Sequence, residues 1–121
     1  MFLSTRRSGN KIFLWNVETL VAAAKDLPVE YNPVSDFNLE ELYFFASYDD
    51  ANVQSFVEHM ARVESADLDI PVILGQDGVI LDGLHRLAKA SRSGISELAV
   101  VQFLVDPEPL RVIELPESHT A

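Results

Sequence analysis

One five-residue stretch concentrates the residue types that hold anions: Asp82-Gly83-Leu84-His85-Arg86. It falls where the apolar run Val79-Ile80-Leu81 gives way to a helical pattern. The first amides of a helix have no partner inside it and carry the positive end of its dipole, so they favour an anion. Gly83 lets backbone approach a ligand closely. Arg86 offers a planar fork suited to phosphate. Lys89 and Arg92 follow His85 at i+4 and i+7 and share its face. Gly83, Leu84, His85, Arg86 and Lys89 are therefore the candidate phosphate-binding residues. Asp82 can cap the amides of residues 84 and 85, or act as a base near a hydroxyl acceptor. His85 can donate to a phosphate oxygen. The same residues also read more plainly, as a cap, a turn glycine and a solvated cationic face.

Few other residues carry a chemical signal. Glu40 and Glu41 precede the aromatic group Tyr43, Phe44, Phe45 and Tyr48. Carboxylates there can orient Mg²⁺ or an acceptor, with Glu41 the candidate catalytic member; they also read as two solvated acids. His59 lies beside an apolar stripe and reads as a partly buried helix histidine. His119 is in the C-terminal tail. No His, Asp and Glu trio has metal-ligand spacing, so no structural metal is expected. There is no cysteine, which excludes disulfides, thiol catalysis and thiolate metal sites. Trp15 and the aromatic group at 43–48 read as core rather than as a platform for bases.

The elements that must position these residues follow from periodicity and punctuation. Asn16 can cap a helix over 17–27 whose Val17, Leu20, Val21 and Ala24 share a face, ended by Pro28. Val29-Glu30-Tyr31 is β-like, and residues 39–46 fit a helical turn or two. A second helix over 51–66 carries the stripe Val53, Phe56, Val57, Met60 and Val63, with Asp50 or Asn52 as cap. Residues 70–74 read as a strand, Gly75-Gln76-Asp77-Gly78 as a tight turn, and 79–81 as the returning strand. A third helix over 84–93 places Leu84, Leu87, Ala88 and Ser91 on one face, with Gly94 ending it. Residues 98–105 form a continuous apolar strand, and Asp106-Pro107-Glu108-Pro109 ends regular structure. The strand before the third helix and the one after it would make a βαβ-type unit. The fold class is α+β: a small mixed sheet with helices packed on it, in one domain over 1–121, with 1–10 a loose tail or an edge strand and 116–121 loose.

Charge narrows the partners. The 121 residues carry a net charge of −10. Arg6, Arg7 and Lys11 stand in the first eleven residues, so residues 12–121 hold six basic against nineteen acidic side chains, a net of −13. Such a body repels a nucleic-acid backbone, whose affinity rests on Lys and Arg. Direct nucleic-acid binding is therefore not expected. Neither a secretion leader nor an apolar run of membrane-spanning length is seen, and the chain reads as cytoplasmic.

The residues Pro71-Val72-Ile73-Leu74, Asp77 through Ala90, and Gly94 with the β-run after it resemble the ParB/sulfiredoxin superfamily, over roughly residues 68–105. The similarity is to stand-alone ParB N-terminal-like proteins. In sulfiredoxins the matching helix start reads Gly-Cys-His-Arg and binds ATP phosphates. Here Gly83, His85 and Arg86 match and Leu84 replaces the cysteine, which removes sulfinic-acid reduction. In ParB the box reads Gly-Glu-Arg-Arg and binds CTP phosphates; Gly83 and Arg86 match. ParB's DNA-reading helix-turn-helix has no counterpart. In the free-serine kinases of the superfamily the motif is Asp-Gly-His-His-Arg, and Asp82, Gly83, His85 and Arg86 match. The resemblance implies a nucleotide (ATP, ADP or CTP), with Mg²⁺, and phosphoryl transfer or nucleotide hydrolysis if the protein is an enzyme.

Three functions follow as expectations. The first is a nucleotide- or phosphate-binding domain with the anion at residues 82–86. The second is a non-catalytic acidic interaction module or nucleic-acid mimic, suggested by nine acids and one base, Arg62, between Asp36 and Asp69. The third is a DNA-associated ParB-like protein.

Overall fold

A computed structural model describes residues 3–44 and 50–116. It is mixed α+β, with three α-helices and two small sheets. The elements are β1 (Leu3–Ser8), β2 (Lys11–Asn16), α1 (Val17–Ala24), β3 (Glu30–Pro33), α2 (Val53–Ser65), β4 (Val72–Leu74), β5 (Ile80–Asp82), α3 (Leu84–Arg92), β6 (Glu97–Gln102) and β7 (Arg111–Glu114). Single 3-10 turns occupy Val34–Asp36 and Leu39–Glu41. The chain forms two compact units. Phe45 and Tyr48 of the aromatic group, residues 45 and 46 of the 39–46 helical reading, and His119 lie outside the described residues.

The first unit comprises residues 1–28, 73–82 and 102–121. Its sheet has the order β1-β2-β7, antiparallel throughout. β1 is thus the edge strand that residues 1–10 allowed. The Gly9-Asn10 turn joins it to β2 in a register that pairs Ser8 with Lys11. β4 and β5 form the hairpin expected around Gly75–Gly78, with Ile73 opposite Asp82 and Leu74 opposite Ile80. Asn16 caps α1 by accepting from the Glu18 amide at 2.9 Å. Leu20 and Ala24 of that helix are buried, but Val21 of the same apolar face is exposed. Trp15 is buried as expected and its Nε1 donates to the Pro107 carbonyl at 2.9 Å. The end of regular structure placed at Asp106–Pro109 is corrected: β7 follows it. Four residues between prolines give little local signal, and β7 exists because β2 supplies its hydrogen bonds.

The second unit comprises residues 29–72 and 83–101. β3 pairs antiparallel with β6, Glu30 opposite Val100 and Asn32 opposite Leu98. Leu98 to Val101 are buried, as a continuous apolar run requires. The strand stops at Gln102, and Leu104 and Val105, assigned to it from sequence, are exposed. In the chain α3 connects β5 to β6, and β5's antiparallel partner is β4. α2 packs on α3. Asn52 caps α2 by accepting from the Ser55 amide at 2.9 Å. Of the α2 stripe only Val63 is buried; Val53, Phe56, Val57 and Met60 are exposed. α3 buries Leu87 and Ala90. Leu87 is 1% exposed, and burying such a side chain contributes roughly 2 kcal/mol. α3 closes in a Schellman arrangement, with Gly94 N donating to Ser91 O and Ile95 N to Ala90 O. Among the described residues no helix is long and apolar enough to cross a membrane.

Candidate functional site

The start of α3 is built on one glycine. Gly83 is the N-cap, with φ of 123°. A β-carbon there would sit 2.9 Å from Val72 Cγ2, closer than packed carbons tolerate. Two independent constraints therefore select glycine: a backbone angle that side chains avoid and a valine filling the space. The Gly83 carbonyl accepts the first helical bond, from Leu87 N at 3.0 Å.

The sequence places the Asp82 carboxylate as a cap for the amides of 84 and 85; the N-cap residue of α3 is Gly83, one position later, which has no side chain. Asp82 is instead the last residue of β5 and belongs to the first unit.

The cations of α3 are turned to backbone carbonyls. Arg86 Nη1 donates to the carbonyls of Ile70 (3.1 Å) and Pro71 (2.5 Å). It thereby ties α3 to the segment entering β4. Lys89 Nζ donates to the carbonyls of Glu64 (3.0 Å) and Ala66 (2.6 Å), at the end of α2. A cation there satisfies last-turn carbonyls and complements the helix dipole. Arg92 forms a long, exposed ion pair with Glu64 at 3.9 Å, worth roughly 1 kcal/mol or less.

His85 is placed by ring contacts. Its Nε2 lies 2.8 Å from Nδ1 of His59, and Phe44 stacks on both imidazoles at centroid distances of 4.8 and 5.1 Å. His59 is thus a partly buried helix histidine, as read, but one engaged with a candidate site residue 26 positions away. Burial lowers its pKa below the ordinary 6.5, Arg62 adds to the lowering, and Glu58 opposes it. Sequence reasoning missed this pairing, and no spacing signal could have revealed it. Phe44 is part of this stack, whereas Tyr43 is 73% exposed and is not core.

A groove of about 290 Å³ runs along the same helix. Leu84, Leu87, Ala88 and Ser91, the face expected from sequence, line it together with Leu39, Leu42, Tyr43 and Phe44. It reaches the first turn of α3 at Leu84 and Arg92 near the last. Glu40 and Glu41 lie in the 3-10 turn between Leu39 and Leu42. Both acids are exposed, and the flanking leucines, not the carboxylates, line the groove. Among the described residues no group of three or more His, Asp or Glu side chains is placed to hold a metal ion.

The site thus gathers Gly83, Leu84, His85, Arg86 and Lys89 on one helix, adds His59 and Phe44, and leaves Glu41 outside the groove. No protein-family model matches the chain, and comparison with curated proteins and with solved structures finds no significant match.

Proposed function

We propose that this protein binds a phosphate-containing small molecule, in the manner of a ParB/sulfiredoxin-like nucleotide-binding domain, with the anion against the first turn of α3. The observation that carries this reading is the side-chain-free cap: Gly83 opens α3 at φ 123° and brings no carboxylate or hydroxyl to the first turn. A helix start so capped presents backbone donors and positive potential to a ligand. The groove reaching Leu84 supplies an apolar wall for the rest of a nucleotide. Because Arg86 Nη1 serves the Ile70 and Pro71 carbonyls, the first-turn amides, ahead of the guanidinium, are the main support for the anion.

Binding is better supported than turnover. In this reading phosphoryl transfer or nucleotide hydrolysis would draw on Asp82, His85 and Glu41. His85 Nε2 is already engaged by His59, and Glu41 is outside the groove.

Isothermal titration with ATP, ADP and CTP, with and without Mg²⁺, tests the reading. His85→Glu is the discriminating variant. A carboxylate in the first turn suits the helix dipole, yet it repels a phosphate at the same place, and every motif the chain resembles has histidine or arginine there. The expected result is saturable binding by the native chain and at least a tenfold loss in His85→Glu, with circular dichroism unchanged. No heat of binding from the native chain, or equal affinity in the variant, removes the proposal.

A second reading is favoured by a different observation. The α2 residues Val53, Phe56, Val57 and Met60 are exposed in a region rich in acids, which suits a non-catalytic module for a basic protein partner. Under that reading Phe56→Asp abolishes capture of the partner and leaves nucleotide titration unchanged.

A further inference from the structure

The rings of His59 and His85 are nearly parallel, at 12°, with centroids 5.0 Å apart and facing nitrogens 2.8 Å apart. The centroid separation exceeds the nitrogen separation by roughly two ring radii. The two nitrogens therefore point at each other almost head-on. That arrangement suits a hydrogen bond, in which one nitrogen donates and the other accepts. It does not suit a shared metal ion, because both lone pairs would have to converge on a third point.

We infer that His59 and His85 share a single proton and that this shared proton is a pH-sensitive clamp between α2 and α3, released when both imidazoles are charged. In the neutral pair one N–H···N bond joins the helices. A first added proton goes to an outer nitrogen and makes the bond charge-assisted, hence stronger. A second turns both facing nitrogens into N–H donors, so no acceptor remains and two positive rings oppose each other.

The surroundings welcome one charge more than two. Phe44 presents its face to both rings and favours a cation there. On α2, Glu58 favours a charged ring and Arg62 opposes it. On α3, Arg86, Lys89 and Arg92 flank His85 in sequence, and Glu64 pairs with Arg92. From the 39–44 segment Glu40 and Glu41 are exposed acids. Two unit charges 5.0 Å apart separate the protonation steps by about half a pH unit in bulk water and by about two at the effective dielectric of a protein surface.

The test is an NMR titration of the full chain, with the histidine signals assigned through His119→Gln, His59→Gln and His85→Gln. Two coupled steps, split by about one pH unit or more, are expected in the native chain. Shift changes at Val63 and Lys89 should accompany the lower step. His85→Gln should leave His59 with a single step, still below its ordinary value because burial and Arg62 remain, and His59→Gln should leave His85 with a single step. Independent titration of both rings, unaltered by removing the other, overturns the inference. Should a variant fail to fold, the native chain alone decides. A nitrogen–nitrogen coupling across the hydrogen bond, from His59 Nδ1 to His85 Nε2 at neutral pH, supports the clamp. Its absence there overturns the clamp.

Discussion

Arg6 and Lys89 carry the same charge and are held in opposite ways. In the first unit Arg6 pairs with the carboxylates of Asp77 and Asp106. One cation and two anions leave that cluster net negative. In the second unit Lys89 reaches the carbonyls of Glu64 and Ala66, and no carboxylate among the described residues pairs with it. A carbonyl dipole orients an ammonium without cancelling its charge. The first arrangement locks the β4–β5 turn; the second joins two helices.

The two units also use glycine differently, and this contrast yields the largest expected effect. Gly83 combines a φ of 123° with Val72 packed against it, whereas Gly78 has a φ of 83° and open space. Gly83→Ala should cost about 3 kcal/mol from strain and overpacking together. Gly78→Ala should cost about 1 kcal/mol from strain alone. Urea denaturation compares the two, and equal losses would show that Val72 yields.

Removing the cations sharpens the electrostatic contrast. Lys89→Met should lower stability by about 1.5 kcal/mol, because two carbonyls at the end of α2 lose a charged donor. Its effect should change little with salt. Arg6→Met should cost about 0.5 kcal/mol in low salt and less in 1 M salt, because Asp77 is exposed and its pairing is screened, while Asp106 is half-buried. The same denaturation series at two salt concentrations separates them.

The smallest expected effect is a slope with pH. His59 has a pKa below its ordinary 6.5 in the folded chain, chiefly through burial. The unfolded chain therefore takes up this proton first as pH falls. The stability owed to a neutral His59 is complete above about 6.5 and is lost as pH falls through the lowered folded value. His59→Gln should flatten stability across that window, and an unchanged slope would place the titrating group elsewhere.

Much of the scaffold was legible along the chain. Asn16 and Asn52 cap the helices they precede, because a side-chain oxygen reaches an amide two or three residues on. The Gly75–Gly78 turn and the span of α3 were equally local. Residues 1–10 read only as a loose tail or an edge strand, because β1 is too polar to advertise a strand. The apolar stripe of α2 was read correctly as a stripe. Periodicity says that one face is apolar and cannot say that Val53, Phe56 and Val57 stay exposed.

The candidate site divides along the same line. Residue types alone placed Gly83, Leu84, His85, Arg86 and Lys89 on one helix, because a helix start and its spacing are set within a few positions. Tertiary structure decided what each side chain touches: Val72 against Gly83, the carbonyls of 70 and 71 on Arg86, the end of α2 on Lys89, and His59 on His85. Backbone carbonyls have no residue signature, and two histidines 26 positions apart meet only because α2 packs on α3. Local hydrogen bonding writes itself into sequence; the partners of long side chains are chosen by the path of the whole chain.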